Sequence, residues 1–144
     1  MIDQDDRLKQ LFNLVETVPH DQLAEALNAQ SGGVPAALDL IFALLASEFN
    51  PAKAKGKKGV FQFEVLAPDA TYEYVVHVEN HTCQWQRGRA EDPDIAIGVK
   101  LPDMLLMGIG KLPGAKAFMT GKLKIRGNPL FGTKLGDWFD HPPV

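Results

Sequence analysis

Residues 59–65 read Gly59-Val60-Phe61-Gln62-Phe63-Glu64-Val65. Phe61, Phe63 and Val65 alternate with Gln62 and Glu64, and a period of two lays alternate side chains on opposite faces of a strand. Ala67-Pro68-Asp69 supplies a turn. Tyr72, Tyr74, Val76 and Val78 then alternate with Glu73, Val75 and His77. A second turn falls at Asn80 or His81, after which Cys83 and Trp85 alternate with Gln84 and Gln86. The three runs read as an antiparallel meander in which each strand has one apolar and one mixed face.

Helical spacing dominates upstream of the meander. Leu8, Leu11, Phe12 and Val15 recur at intervals of three and four, which predicts a helix over 4–18 that stops before Pro19. A short helix over 21–30 follows, with Asp21 as candidate N-cap. Ser31-Gly32-Gly33 breaks it. A third helix over 35–48 carries the apolar stripe Leu38, Ile41, Phe42 and Leu45, with Pro35 in its first turn. Residues 50–59, with Lys53, Lys55, Lys57 and Lys58, are expected to be a loop.

Downstream, Ile95, Ile97 and Val99 share one face of a fourth strand. Pro102-Asp103 opens a helix through Met104, Leu105, Met107 and Ile109, and residues 115–120 add a further turn. Lys122-Leu123-Lys124-Ile125-Arg126 alternates as a fifth strand with a basic outer face. Leu130, Phe131, Leu135, Trp138 and Phe139 have the spacing of a last helix. Helices, then a meander, then mixed elements argue an α+β fold.

The 144 residues suit one domain, and 45% hydrophobic with 23% charged residues is the balance of a globular protein. The single cysteine excludes a disulfide framework and a cysteine-rich zinc cluster. The net charge of -3 excludes a globally basic nucleic-acid binder. That total hides an asymmetry: residues 1–50 carry -6 and residues 100–134 carry +6. No basic segment precedes an apolar one at the start, and Ile41–Ala46 is far shorter than the ~20 residues that span a bilayer. A cytoplasmic location with Cys83 as a reduced, packed thiol is expected.

Catalytic motifs fail on spacing. Gly108 and Gly110 lack the third glycine of a dinucleotide fingerprint, since Pro113 stands there. A phosphate loop ending at Gly121-Lys122 would need Gly at Lys116 and Ser or Thr after Lys122, and has neither. His77 and His81, four apart across a strand and its turn, do not converge on a metal. Asp92 and Asp94 around Pro93 read as turn acids. Ser31 and Ser47 are the only serines. Tyr72 and Tyr74 share an apolar face and so read as core, not as a base-stacking platform. No enzyme activity, cofactor, metal or nucleic-acid partner is expected.

One stretch goes further: Ala117-Phe118-Met119-Thr120-Gly121-Lys122-Leu123-Lys124-Ile125-Arg126-Gly127-Asn128. It resembles the signature of the sterol carrier protein 2 family. Residues 59–65 resemble that family's first strand. Asp94-Ile95-Ala96-Ile97 with Leu101-Pro102-Asp103-Met104-Leu105-Leu106-Met107 resembles its strand, acidic helix start and apolar helix. The resemblance covers residues 34–140. It implies a five-stranded, largely antiparallel sheet covered by helices, with an apolar tunnel between them. It also implies non-catalytic binding and transfer of a fatty acid, acyl-CoA, phospholipid, sterol or isoprenoid. The alternative is an accessory module that presents a lipophilic intermediate, such as a quinone, to a partner enzyme. Residues 1–30 are expected to be a helical extension of the same domain, and 31–144 the lipid-binding part.

The candidate tunnel lining follows from the faces. The strands offer Phe61, Phe63, Tyr74, Val76, Trp85, Ile97 and Ile125. The helices offer Met104, Leu105, Met107 and Ile109, then Phe118 and Met119, then Phe131, Leu135 and Trp138. Methionine is unbranched and polarizable, so it adapts to ligands of varied shape. Lys111, Lys116, Lys122, Lys124 and Arg126 are candidates for contact with an anionic headgroup or membrane surface.

Overall fold

The computed structural model describes residues 4–29, 32–68, 70–108, 111–112, 114–127 and 138. Helices α1 (Gln4–Thr17), α2 (Leu23–Asn28) and α3 (Gly33–Ser47) come first, with a short 3₁₀ turn at His20–Gln22 before α2. A one-turn helix α4 (Pro51–Ala54) leads into strands β1 (Gly59–Leu66), β2 (Thr71–Glu79), β3 (Thr82–Arg87) and β4 (Ile95–Lys100). Helices α5 (Leu101–Gly108) and α6 (Gly114–Met119) precede strand β5 (Leu123–Gly127). The fold is α+β, as the order of sequence patterns requires.

The five strands form one sheet in the order β3-β2-β1-β4-β5. The expected meander is present: β1 pairs antiparallel with β2, and β2 with β3. Strand β4 joins the other side of β1 in parallel, and β5 closes the edge antiparallel to β4. The sheet is therefore mixed and mostly antiparallel. A parallel neighbour cannot be reached by a hairpin. The chain crosses from β3 to β4 through residues 88–94 instead. The Gln62 amide nitrogen donates to the Gly88 carbonyl at 3.0 Å, and its oxygen accepts from the Ala90 amide at 2.7 Å. Gln62 is 1% exposed, the sole buried polar or charged side chain among the described residues. Its bonds tie the crossover to the face of the sheet opposite the helices. At the far end of the crossover, Asp94 accepts a hydrogen bond from the Val60 amide of β1 at 2.8 Å, a long-range tie and not a local turn contact.

Register places Phe61, Phe63 and Val65 on one face with Tyr74, Val76, Ile95, Ile97 and Val99. All are buried and join one cluster with Val34, Leu38, Ile41 and Phe42 of α3. Fully burying a side chain of this size contributes about 1.5–3 kcal/mol, so this interface is the main source of stability. Leu11 and Val15 of α1 and Leu23 and Leu27 of α2 belong to the same cluster. The first two helices are thus packed onto the core.

Three local details differ from the sequence reading. Residues 50–59 are not wholly loop: Asn50 caps α4 by accepting from the Ala52 amide at 3.0 Å, and Pro51 begins the turn. Asp21 does not cap α2; Gln22 holds that position without a side-chain bond. Helix α3 starts two residues earlier than Pro35, after Gly32 at φ +85°, and its Val34 amide donates to Asn28 Oδ1 at 3.2 Å. A positive φ is the conformation glycine tolerates best, and the side chain of a preceding helix does the capping.

Helices α3 and α5 approach closely at Gly108, where an added Cβ would lie 2.5 Å from Ile41 Cγ2 and 2.8 Å from Ile41 Cδ1. Ile41 is fully buried and has no room to withdraw. Gly108→Ala is expected to destabilise the protein by about 1–3 kcal/mol in chemical denaturation, the usual cost of overpacking. Combining it with Ile41→Ala should cost less than the two single changes added together, which would show that this contact is the cause.

Candidate functional site

The apolar interface between sheet and helices gathers most of the sequence-predicted lining. Phe61, Phe63, Tyr74, Val76, Ile97, Met104 and Leu105 are all buried there. Trp85, Met107 and Ile125 are half-buried and pack against the same cluster. Trp138 is 3% exposed, with its ring edge-on to Phe61 at 6.0 Å. Its carbonyl accepts from the Asn50 amide at 2.8 Å, which fixes residue 138 beside α4. Met119 departs from this group: it is 83% exposed, so its side chain stands in solvent. Ile109, Phe131 and Leu135 lie outside the described residues, as does the side chain of Phe118.

Aromatic rings organise the centre of the interface. Phe42 stacks on Tyr74 with centroids 4.3 Å apart and meets Phe63 edge-on at 5.2 Å. Trp85 flanks Tyr74 at 6.0 Å. Edge-on and offset arrangements are favourable because the electron-rich face of one ring meets the electron-poor edge of another. The Tyr74 hydroxyl donates to Asp39 Oδ1 at 2.8 Å. Arg87 holds the same carboxylate from the sheet side, with Nε donating to Oδ1 at 2.9 Å and Nη2 to Oδ2. Asp39 was not singled out from the sequence. On the exposed side of a helical stripe it looks solvated, and only the β3 register brings Arg87 to it.

Burial, together with the hydrogen bond to Asp39 and its negative charge, pushes the Tyr74 phenol well above its ordinary value. Burial alone pushes the Cys83 thiol up to about 12. That shift disfavours the reactive thiolate of Cys83 at neutral pH.

The candidate basic residues do not form one open surface. Lys111 pairs with Glu16 at 3.1 Å and Lys122 approaches Asp103 at 3.8 Å. Arg126 pairs with Glu64 across the outer face of the sheet. Lys116 and Lys124 are exposed, and Lys124 shares that outer face with Arg126. His77 pairs with Glu79 at 3.3 Å, and no group of three or more potential metal ligands occurs among the described residues. No helix among them is long and apolar enough to cross a membrane. A cavity of about 300 Å3 opens on the face of the sheet away from the helices, and of the predicted lining only Trp85 borders it.

Residues 38–140 match the model of the SCP-2 sterol transfer family. The chain belongs to that family. The match runs from the middle of α3 past β5 and so spans the whole sheet. The fold agrees with solved structures of similar proteins. Sterol Carrier Protein 2 Like 2 from Aedes aegypti superimposes with a TM-score of 0.59 at 21% identity, covering 72% of this chain and 97% of that one. The same mosquito protein in palmitated form gives a TM-score of 0.56 at 21% identity, covering 75% of this chain and 98% of that one. The sec-alkylsulfatase Pisa1 from Pseudomonas sp. contains a similar unit, with a TM-score of 0.62 and 19% identity over 74% of this chain but 17% of the sulfatase. Among curated proteins, hydroxysteroid dehydrogenase-like protein 2 from Rattus norvegicus is 26% identical over 106 residues, 73% of this chain. The chain spans only 20% of that dehydrogenase-like protein. The matched region thus makes up nearly all of one solved chain and a minor part of the two longer proteins.

The perturbed groups make stability fall at high pH. Below pH 9 the Cys83 thiol and the Tyr74 phenol are protonated in both states. Above it the unfolded chain loses the thiol proton, and near pH 10 the phenol proton, while the folded protein retains both. Unfolding free energy should therefore decline from about pH 9 upward. Cys83→Ala should remove the part that begins near pH 9, and Tyr74→Phe the part that begins near pH 10. Native Cys83 should also react with iodoacetamide at pH 8 at least about tenfold more slowly than in urea.

Proposed function

We propose that this protein is a non-catalytic lipid carrier that takes an acyl chain or similar apolar molecule between its sheet and its helices. The observation that carries the reading is membership of the SCP-2 sterol transfer family across the whole sheet. The apolar face shared by β1, β2, β4, α3 and α5 supports it. An extended apolar wall binds by area and imposes little chemical selectivity. The palmitated state of the mosquito relative makes a fatty acyl chain the first ligand to test, ahead of acyl-CoA, phospholipid, sterol or isoprenoid. Phe61, Phe63, Tyr74, Val76, Trp85, Ile97, Ile125 and Trp138 would form the fixed wall. Met104, Leu105, Met107, Ile109, Phe118, Phe131 and Leu135 would form the side that adapts, and Met119, exposed to solvent, is left out of it. Each buried methylene adds about 0.8 kcal/mol before ordering costs. We take residues 1–30 as an extension of the same domain, a reading supported by the packing of α1 and α2 on the common core. A free, half-buried Cys83 suits a cytoplasmic setting.

A second reading is an accessory module that presents a lipophilic intermediate, such as a quinone, to a partner enzyme. It is favoured by the occurrence of similar units within a dehydrogenase-like protein and within a sulfatase. Under it, partners recovered by residues 1–144 and by the same chain lacking residues 1–30 would differ.

Native mass spectrometry of freshly purified protein should show a co-purifying lipid, and a fluorescent fatty acid should be displaced by palmitate. Met107→Trp, which adds bulk at a half-buried position on α5, is expected to weaken that displacement at least about tenfold while the thermal melt stays cooperative. Absence of lipid, with no displacement by any acyl chain, sterol or quinone, would contradict the carrier reading. Raising salt should weaken binding to anionic vesicles more than binding of a neutral lipid, because only the former relies on exposed charges such as Lys116 and Lys124.

A further inference from the structure

The cavity on the outer face of the sheet is built from two cross-strand rows. Register aligns Val60, His77 and Gln84 in one row, and Gln62, Val75 and Gln86 in the next. The crossover residues Ala90, Glu91 and Asp92 wall it on one side, and the volume of this open cavity is about 300 Å3. That size is at the low end for small-molecule sites. The wall is held by design of the fold: Gln62, buried at 1%, bonds the Gly88 carbonyl and the Ala90 amide. A second tie joins Arg89 of the crossover to Glu73 on β2. The crossover is thus positioned beside the cavity before any ligand arrives.

The chemistry of the lining is one-sided. Val60 and Val75 give an apolar floor. Gln84 and Gln86 offer amide oxygens, and Glu91 and Asp92 add two carboxylates. Among the described residues, no lysine or arginine lines the cavity. The basic group that does, His77, has its Nε2 against Glu79 at 3.3 Å. An acid ligand would meet two carboxylates with no arginine or lysine partner, whereas a protonated amine would find acceptors at the rim and an apolar floor for its carbon chain.

We propose that this cavity is a second ligand site, separate from the lipid-binding interface, that takes a small organic cation: a protonated amine on a short apolar body. It lies on the opposite face of the sheet from α3 and α5, so it does not depend on what the interface between sheet and helices binds. Its location under the β3–β4 crossover would let an occupant stiffen that crossover without entering the lipid side.

The test is a titration of labelled protein with n-butylamine, followed by the side-chain amide signals of Gln84 and Gln86 and the backbone amides of residues 90–92. n-Butanol and butyrate at matched ionic strength are the comparison probes. The amine should give saturable shifts confined to these groups, with butanol about threefold to fivefold weaker, the scale of exposed carboxylate–ammonium pairs. Glu91→Gln with Asp92→Asn should abolish the preference for the amine over butanol. Both positions are exposed at the rim, so the fold is not at risk. Fatty-acid displacement should be unchanged in that variant, which separates failure of this site from failure of the carrier reading. No saturable shift up to about 0.1 M amine, or equal response to butyrate, would overturn the proposal.

Discussion

Strand β1 is the element on which the rest of the molecule depends, because its helix-side face is buried, Gln62 is buried on its other face, and both its edges are hydrogen-bonded. Its odd-numbered side chains, Phe61, Phe63 and Val65, face the helices, and its neighbours β2 and β4 flank it. The even-numbered Gln62 lies on the other face and is also buried. An amide in that position is tolerated only when its polar atoms are satisfied, since an orphaned buried group costs about 1–3 kcal/mol. The crossover satisfies it. The requirement that β4 run parallel to β1 and the burial of Gln62 are two sides of one constraint: the chain must return across the outer face, and Gln62 receives it there.

The helix side is anchored in the same economical way. Asp39 on α3 accepts from Tyr74 on β2 and from Arg87 on β3, so one carboxylate ties one helix to two strands. The stacked pair Phe42 and Tyr74 sits directly below this anchor. Gly108 then brings α5 against Ile41 of the same helix. Helix α3 is therefore the fixed roof of the interface. The segments with the most methionine, 104–119, come after it in the chain, which suits a division between a rigid wall and an adaptable one.

The strands were legible because their alternation is strict, and because Phe61, Phe63, Tyr74 and Val76 are large enough that only one face can be the core. The 117–128 stretch pointed to the family for a different reason: its alternation of lysine with leucine and isoleucine after a glycine turn resembles the family's signature. Non-local pairings were not legible. Lys111 with Glu16, Lys122 with Asp103 and Arg126 with Glu64 link residues far apart in sequence, so a +6 segment that looked like an open basic surface is partly neutralised at those three positions. Gln62 gave no sign of burial, since a glutamine alternating with phenylalanine is the ordinary pattern of a solvent-facing position. The short helix at Pro51–Ala54 was masked by its lysines, although Asn50-Pro51 is the sequence of a capped helix start.

In the proposed carrier, an acyl chain enters between the sheet and α3 and α5. Isotope-filtered proton NMR with carbon-13 palmitate tests it most directly, by reporting which side chains lie within a few ångströms of the bound chain. Cross-peaks from the palmitate methylenes to Phe61, Met104 and Trp138 are predicted. Cross-peaks confined to Val60 and Val75 on the outer face, or none to any buried side chain, would contradict it.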